Sequence, residues 1–256
     1  MRLGIIGNTK LTYKGLEMLI SLGHEIVYVF GLPEENLKSK VNSCGFELTN
    51  LCLAHFNYEC QSSIKLYRSL DWDDIIDEEV DLIISLGDSR FVPEKIINKF
   101  KVIGNHGAIL PHVQGGASLV WGRMLNNGKW GVSIMELDKK IDNGTILRTK
   151  SFTYDSDITM LDFTEKCDNI TVEILKDFMT NIEETKTYKS SNLDFRVNKH
   201  IDSKDGVRLL EFALQNELNI YLPTRTPEDS EIKENWDDKF INSFKKANNK
   251  PYPKYN

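Results

Sequence analysis

The sequence predicts an α/β protein: a doubly wound, mostly parallel sheet followed by a small C-terminal extension. The chain opens on a β-α-β unit, with "RLGIIG" as strand, "TYKGLEMLISL" at helical spacing, and "HEIVYVF" as a second strand closed by Gly31 and Pro33. Apolar runs and helical segments keep alternating after it, the pattern of a parallel sheet covered on both faces.

Further along, "PEENLKSKVNSCG" reads as a helix with Gly45 behind it, "FELTNLCLA" as a weak strand, and "YECQSSIKLYRSLDW" as another helix. "EEVDLIISLGDSRFVPEKIINKFKVIGNHG" supplies a strand, a loop, a short helix begun by Pro93, and a second strand. Then come a glycine-rich loop "QGGAS", a helix "LVWGRMLNNG", and strands "WGVSIMEL" and "TILRTKSF" around the polar turn "DKKIDNG". Ile158, Leu161, Ile170, Ile174, Leu175 and Phe178 largely share one face of a long helix, which predicts a core-facing stripe. From about Ser190 the composition turns polar, with short elements in "GVRLLEFAL", "NIYLPTRTPEDS" and "WDDKFINSFKKA".

Composition limits the function. With 40% hydrophobic and 27% charged residues, the chain has the balance of a soluble globular protein, and no stretch approaches the roughly 20 apolar residues of a membrane span. The first residues run straight into a strand without a secretory signal, which points to the cytoplasm. Cys44, Cys52, Cys60 and Cys167 form no C-x-x-C pair and read as thiols, so no metal site is expected. A net charge of −6 argues against a nucleic-acid partner, because phosphate neutralisation needs a basic footprint. "LGIIGNTKLTYKG" lacks the G-x-G-x-x-G turn and reads as a tight strand-to-helix turn rather than a dinucleotide site.

In open α/β sheets ligands bind beyond the carboxyl ends of the strands, which directs attention to the residues after "DLIISLG" and "KVIG". His106 ends the second of these runs and can serve as a base or acid. Asp142, on the turn "DNGTI", is a candidate partner that would fix the imidazole tautomer. An amide from Asn105 would complete a kit of base, orienter and oxyanion donor for acyl transfer. His24, His55, His112 and His200 have no comparable setting and read as surface or packing residues.

The stretch H-G-A-I-L-P followed by "QGGASLVWGRMLNNGKWGVSIMELDKKIDNGTIL" resembles the 10-formyltetrahydrofolate-dependent formyltransferases, whose pattern is N-x-H-x-S-L-L-P, then R-G, a helix with a tryptophan, and D-x-G-x-I. His106, Leu110, Pro111, Gly115, Trp121, Gly128, Gly131, Asp142, Gly144 and Ile146 fall into it without gaps. The likeness covers roughly residues 1 to 155, and "RTPEDS" with the later "PYP" resembles a further family segment. It implies a Rossmann-like catalytic domain over residues 1–190, a small C-terminal segment over 191–256, and formyl transfer from 10-formyltetrahydrofolate to a primary amine without a metal. His106 becomes the base or proton shuttle and Asp142 its partner. On the folate side the resemblance implies Leu86, Gly87, Asp88, Arg90, Leu110, Gly115, Gly116 and Asp138.

Two departures stand out. The family asparagine lies two residues before the histidine, where this chain has Gly104. Successive strand residues face opposite sides, so Asn105 joins the site only if the backbone leaves a regular strand at Gly104. Otherwise Asn105 is a strand-end packing residue and backbone N–H groups or another donor meet the oxyanion. In addition, Gln114 stands where the family usually has an arginine.

Among family acceptors, methionyl-tRNA enzymes carry a further basic β domain and glycinamide ribonucleotide enzymes lack "RTPEDS". The amino-sugar N-formyltransferases, with roles in lipopolysaccharide biosynthesis, fit best. The expected acceptor is a dTDP- or UDP-linked amino sugar, met by Arg90, Arg225 and Trp121, with a homodimer contact in the polar tail. The rival readings are a formyltetrahydrofolate hydrolase, a methionyl-tRNA formyltransferase-like enzyme, and a folate- or nucleotide-binding relative inactivated by the shifted asparagine.

Overall fold

A computed structural model describes residues 1–37, 64–182, 188–189, 192–197 and 201–249. Strands β1 (Arg2–Ile6), β2 (Glu25–Gly31), β3 (Lys65–Arg68), β4 (Leu82–Ser85) and β5 (Val102–His106) pair in parallel in the order β3-β2-β1-β4-β5. Helix α1 (Lys10–Ser21) follows β1, a single turn α2 (Glu34–Leu37) follows β2, and α3 (Glu94–Lys99) lies between β4 and β5. Because β1 has β2 on one side and β4 on the other, the strand order reverses at β1, opening a crevice at the carboxyl ends. Strands β7 (Lys129–Glu136), β8 (Thr145–Thr153) and β9 (Tyr188–Lys189) extend the sheet antiparallel beyond β5, giving eight strands among the described residues.

The central strands are apolar because both faces are covered. Leu3, Ile5, Ile84 and Ile103 face α1 and the long helix α5 (Met160–Thr180), while Ile6, Ile83 and Val102 meet Ile96 of α3 on the other side. Helix α5 starts at Thr159, whose hydroxyl accepts the Asp162 N–H, and buries Phe163, Cys167, Ile174, Leu175 and Phe178. Each fully buried side chain of that size contributes about 1.5–3 kcal/mol. The expected stripe is shifted at its start: Leu161 is 59% exposed, and Met160 and Phe163 take the inward positions.

The expected helix over residues 58–72 is corrected where it is described. Lys65–Arg68 is a strand paired with Tyr28–Gly31, because Tyr67 turns inward to Tyr28 while Lys65 and Leu66 stay exposed at the sheet edge. The readings placed on Gly45, "FELTNLCLA", Cys44, Cys52, Cys60, His55, His200 and "PYP" lie outside the described residues.

A second sheet, β10-β11-β6, joins Phe195–Arg196, Ile220–Leu222 and Val113–Gly115 in parallel. The glycine-rich stretch after Pro111, expected as loop, therefore includes a strand. Helices α4 (Ser118–Leu125), α6 (Ser203–Gln215) and α7 (Asp238–Ala247) pack around it, with Trp236, Phe240 and Phe244 of the C-terminal segment seated against α4. No helix among the described residues is long and apolar enough to cross a membrane.

One ionisable group sits awkwardly in this packing. Burial pushes the Asp168 carboxyl on α5 up to about 7, a rise that Lys14 of α1 partly opposes. A carboxyl held above its unfolded value favours the folded state fully at low pH and loses that contribution as pH rises toward 7. Asp168→Asn should therefore melt higher than the parent at pH 8, by roughly 2–4 °C per kcal/mol recovered, with the gap closing toward pH 4 in thermal melts.

Candidate active site

The site grows out of the carboxyl ends of β4 and β5. After His106 the chain passes through Ala108 and Leu110 to a cis peptide at Leu110–Pro111, then turns back into β6. Ser133 of β7, opposite His106 in the register, ties this return: its hydroxyl accepts the Leu110 N–H (2.9 Å) and donates to the Ala108 carbonyl (2.8 Å). The Trp130 indole N–H reaches the Gly107 carbonyl at 2.7 Å.

The loop 107–112 thus brings β6 alongside the imidazole. His106 Nε2 lies 2.9 Å from the Val113 carbonyl oxygen and Nδ1 lies 3.4 Å from Asp142 Oδ1. The second contact is an ion-pair distance, long for a hydrogen bond. Asp142 Oδ2 accepts the Gly115 N–H at 2.7 Å, so β6 holds the imidazole through one residue and the carboxylate through another. Both side chains are buried, His106 at 6% and Asp142 at 8% exposure. Two acceptor oxygens face the two ring nitrogens; a neutral ring donates to one of them and an imidazolium to both.

A cavity of about 470 Å³ opens beside this pair. Phe91, Val92, Ile97, Met135, Leu137 and Ile141 give it apolar walls, and Ser85, Asn105, Asp138, Lys140 and Asp142 give it polar points. That mixture suits a flat heteroaromatic ligand with hydrogen-bonding edges. Asp142 is on the cavity wall and His106 stands behind it. A second cavity, about 590 Å³, lies against Trp130, Thr149 and Glu211 and contains neither member of the pair.

The structure sorts the remaining sequence candidates. Gly115 and Gly116 line the cavity, and the Gly116 N–H bonds to the Leu222 carbonyl across the β6–β11 pairing. Asp138 lines it too, its carboxylate accepting the Lys139 N–H at 2.6 Å. Leu110 packs with Met135 and Ile146. Leu86 is turned away from the cavity: it is buried against Gly15 of α1, and its carbonyl accepts the Thr12 hydroxyl. Gly87 donates its N–H to Asn105 Oδ1 at 3.1 Å.

That bond decides the position of Asn105. β5 pairs with β7 in unbroken register from Ile103 to His106, so the departure at Gly104 needed to carry Asn105 beside the imidazole does not occur. Asn105 reaches the cavity edge, but its side-chain oxygen ties β5 to the loop after β4.

Three cations expected or available for ligands are spent inside the fold. Arg90 forks onto Asp88 through Nε and Nη2, donates to the Ser69 carbonyl at 2.8 Å, and stacks on Phe30 and Trp72 at 4.5 and 5.1 Å. Asn8 also donates to Asp88, at 2.8 Å. Most of the five N–H groups of Arg90 are thereby committed, and it borders the cavity without a free fork for a pyrophosphate. Arg225 sits over Trp121 and Phe244, donates to the Ser203 hydroxyl and the Asp229 carbonyl, and is lowered by burial to about 10. Trp121 is 2% exposed, its N–H bonded to the Pro223 carbonyl. Trp121 is interior packing, Arg225 is half-buried over it, and neither lines this cavity. Arg123, fully buried, holds the carbonyls of Ser156 and Ile158.

Ser85 was missed as a site residue. Its signal was present: it is the polar end of the apolar run "DLIIS", at the carboxyl end of a central strand.

Residues 56–178 match the formyl transferase family model. A methionyl-tRNA formyltransferase of Enterococcus faecalis is 29% identical over 153 residues, 56% of this chain and 49% of the relative. The chain spans about half the length of the first curated relatives it matches. In fold it is similar to a 4-N formyltransferase from Francisella tularensis (TM-score 0.66, 16% identity, 96% of this chain and 87% of that one). An N-formyltransferase from Helicobacter canadensis, in complex with folinic acid and dTDP-3-aminofucose, gives a TM-score of 0.64 at 16% identity over 96% and 79% of the two chains.

Gly115 is a tight point of this arrangement. Its φ of +99° lies in the region side chains disfavour, and a Cβ there would stand 2.0 Å from the Leu222 carbonyl oxygen. Gly115→Ala should lower the melting temperature by roughly 5–10 °C, from a few kcal/mol of strain. A parent-like melt would mean the contact relaxes freely.

Proposed function

The chain belongs to the formyl transferase family, and from that premise we propose that it transfers a formyl group from 10-formyltetrahydrofolate to the amine of a nucleotide-linked amino sugar. The observation that carries this reading is the His106–Asp142 pair, 3.4 Å apart at the wall of a cavity of about 470 Å³. The cavity's apolar walls and polar points fit a pteridine ring better than a bare sugar.

When bound, the folate supplies the formyl group. The amine nitrogen bonds to the formyl carbon, whose oxygen takes up the electron pair; that pair returns as the bond from carbon to folate N10 breaks. One proton leaves the amine nitrogen and one reaches N10. Asp142 faces the cavity, so the proton passes from the amine to His106 by way of the Asp142 carboxylate or a water it orders. The Gly115 N–H keeps that carboxylate from swinging away. Once protonated, the imidazolium donates to the Val113 carbonyl through Nε2 and faces the Asp142 carboxylate through Nδ1.

An amino-sugar acceptor is supported by the sugar N-formyltransferases that match this chain along most of both lengths. A net charge of −6 weighs against a polyanionic tRNA. Methionyl-tRNA remains the second reading because the curated relatives carry that name.

The test presents the protein and 10-formyltetrahydrofolate with dTDP- and UDP-amino sugars, methionyl-tRNA, or no acceptor, and follows N-formyl product and free formate. Product with an amino sugar is expected. Formate released equally without an acceptor would make the protein a hydrolase. His106→Ala should fold normally by thermal melting and lose roughly 10²–10⁴-fold in turnover; parent-like turnover would remove the imidazole from the mechanism.

A further inference from the structure

We propose that the hydroxyl of Ser85, on the strand beside Gly104, donates the hydrogen bond to the formyl oxygen. The inference rests on the functional reading above and assigns a residue to the charge that reading leaves unmet.

Ser85 ends β4, whose other residues, Leu82, Ile83 and Ile84, are buried aliphatics. Ser85 is itself only 8% exposed and lines the cavity. Among the described residues its hydroxyl makes no hydrogen bond. That hydroxyl opens to the cavity, where water or a ligand oxygen can meet it. Ser133, on the same side of the sheet two strands away, shows the contrast: its hydroxyl both donates and accepts within the fold.

The register places this hydroxyl. Ser85 pairs with Gly104 in parallel, and Gly104 lies two residues before His106, so all three positions share one face of the sheet. One strand across and two residues along put the Ser85 and His106 Cα atoms roughly 8 Å apart. Position 104 cannot supply the donor, since a Cβ there would approach Leu137 Cδ2 to 2.7 Å. Asn105 also borders the cavity, but its side chain alternates to the other face of the strand, away from Ser85 and His106, where its oxygen holds the Gly87 N–H.

In the step written above, electrons move onto the formyl oxygen as the amine bonds to its carbon. The Ser85 O–H keeps its proton and shares it in a hydrogen bond that strengthens as the charge develops.

The test has a binding arm that needs no turnover. Dissociation constants are measured by calorimetry for 10-formyl-5,8-dideazafolate and for 5,8-dideazafolate, with the parent, Ser85→Ala and His106→Ala. The parent should prefer the formyl compound, Ser85→Ala should lose roughly 3- to 10-fold of that preference with its affinity for the unformylated compound unchanged, and His106→Ala should keep it. In turnover, Ser85→Ala should lose about 10²-fold in kcat with little change in KM for the amine. An unchanged preference in Ser85→Ala would overturn the role of Ser85 and leave the proposed function standing. A parent that binds neither compound would overturn the proposed function, and this assignment with it.

Discussion

Two peptide groups of one short strand hold the candidate site together. The Val113 carbonyl meets His106 and the Gly115 N–H meets Asp142, so imidazole and carboxylate are aligned by the same three residues of β6. Neither side chain could find the other by its own torsions alone, since the carboxylate sits on a loop residue with φ +52° and the imidazole at a strand end. The backbone of β6 fixes both at once. Its own position is fixed in turn by β11, whose Leu222 carbonyl accepts the Gly116 N–H and leaves no room at Gly115.

This makes the C-terminal segment part of the site rather than an attachment to it. Across the expected boundary near residue 190, β11 pairs with β6, and Arg225 clamps Trp121 of α4 against Phe244 of α7. Arg90 and Arg123 play similar parts elsewhere, the first gathering the loops after β1, β3 and β4, the second the turn before α5. Desolvating a guanidinium is costly, and each of the three offsets that cost with several carbonyl, hydroxyl or carboxylate acceptors. Breaking one removes support from several loops together, which is why buried arginines, here, serve as fasteners of the crevice.

The parts of the fold that read correctly are those in which local pattern and tertiary role coincide. β1, β4 and β5 are apolar because both sheet faces are covered, and α5 shows its buried stripe because one face is packed. The His106–Asp142 relation was legible through a motif, since its spacing follows from one strand end and one hairpin turn. Failures arise where tertiary pairing overrides local signal. Lys65–Arg68 looks helical until β2 supplies a partner, and the three-residue strands β6 and β11 lie below the length at which alternation can be seen. Nothing in the chain neighbours of Trp121 and Arg225 says that the two stack on each other.

The asparagine shift shows the same logic at the scale of one residue. A motif read as a string tolerates moving Asn by one place; a strand does not, because one step reverses the face. With Gly104 on the cavity side and Leu137 packed over it, the chain has exchanged a side-chain amide for apolar volume at that point. Whatever charge develops in the cavity must then be met from a neighbouring strand or from the backbone. The sheet offers the first directly, since parallel register puts the side chain of β4 beside that of β5 at the same height. A function carried by one residue of a strand can therefore pass sideways to its register partner with little movement of the backbone, whereas passing one step along the same strand would require a bulge.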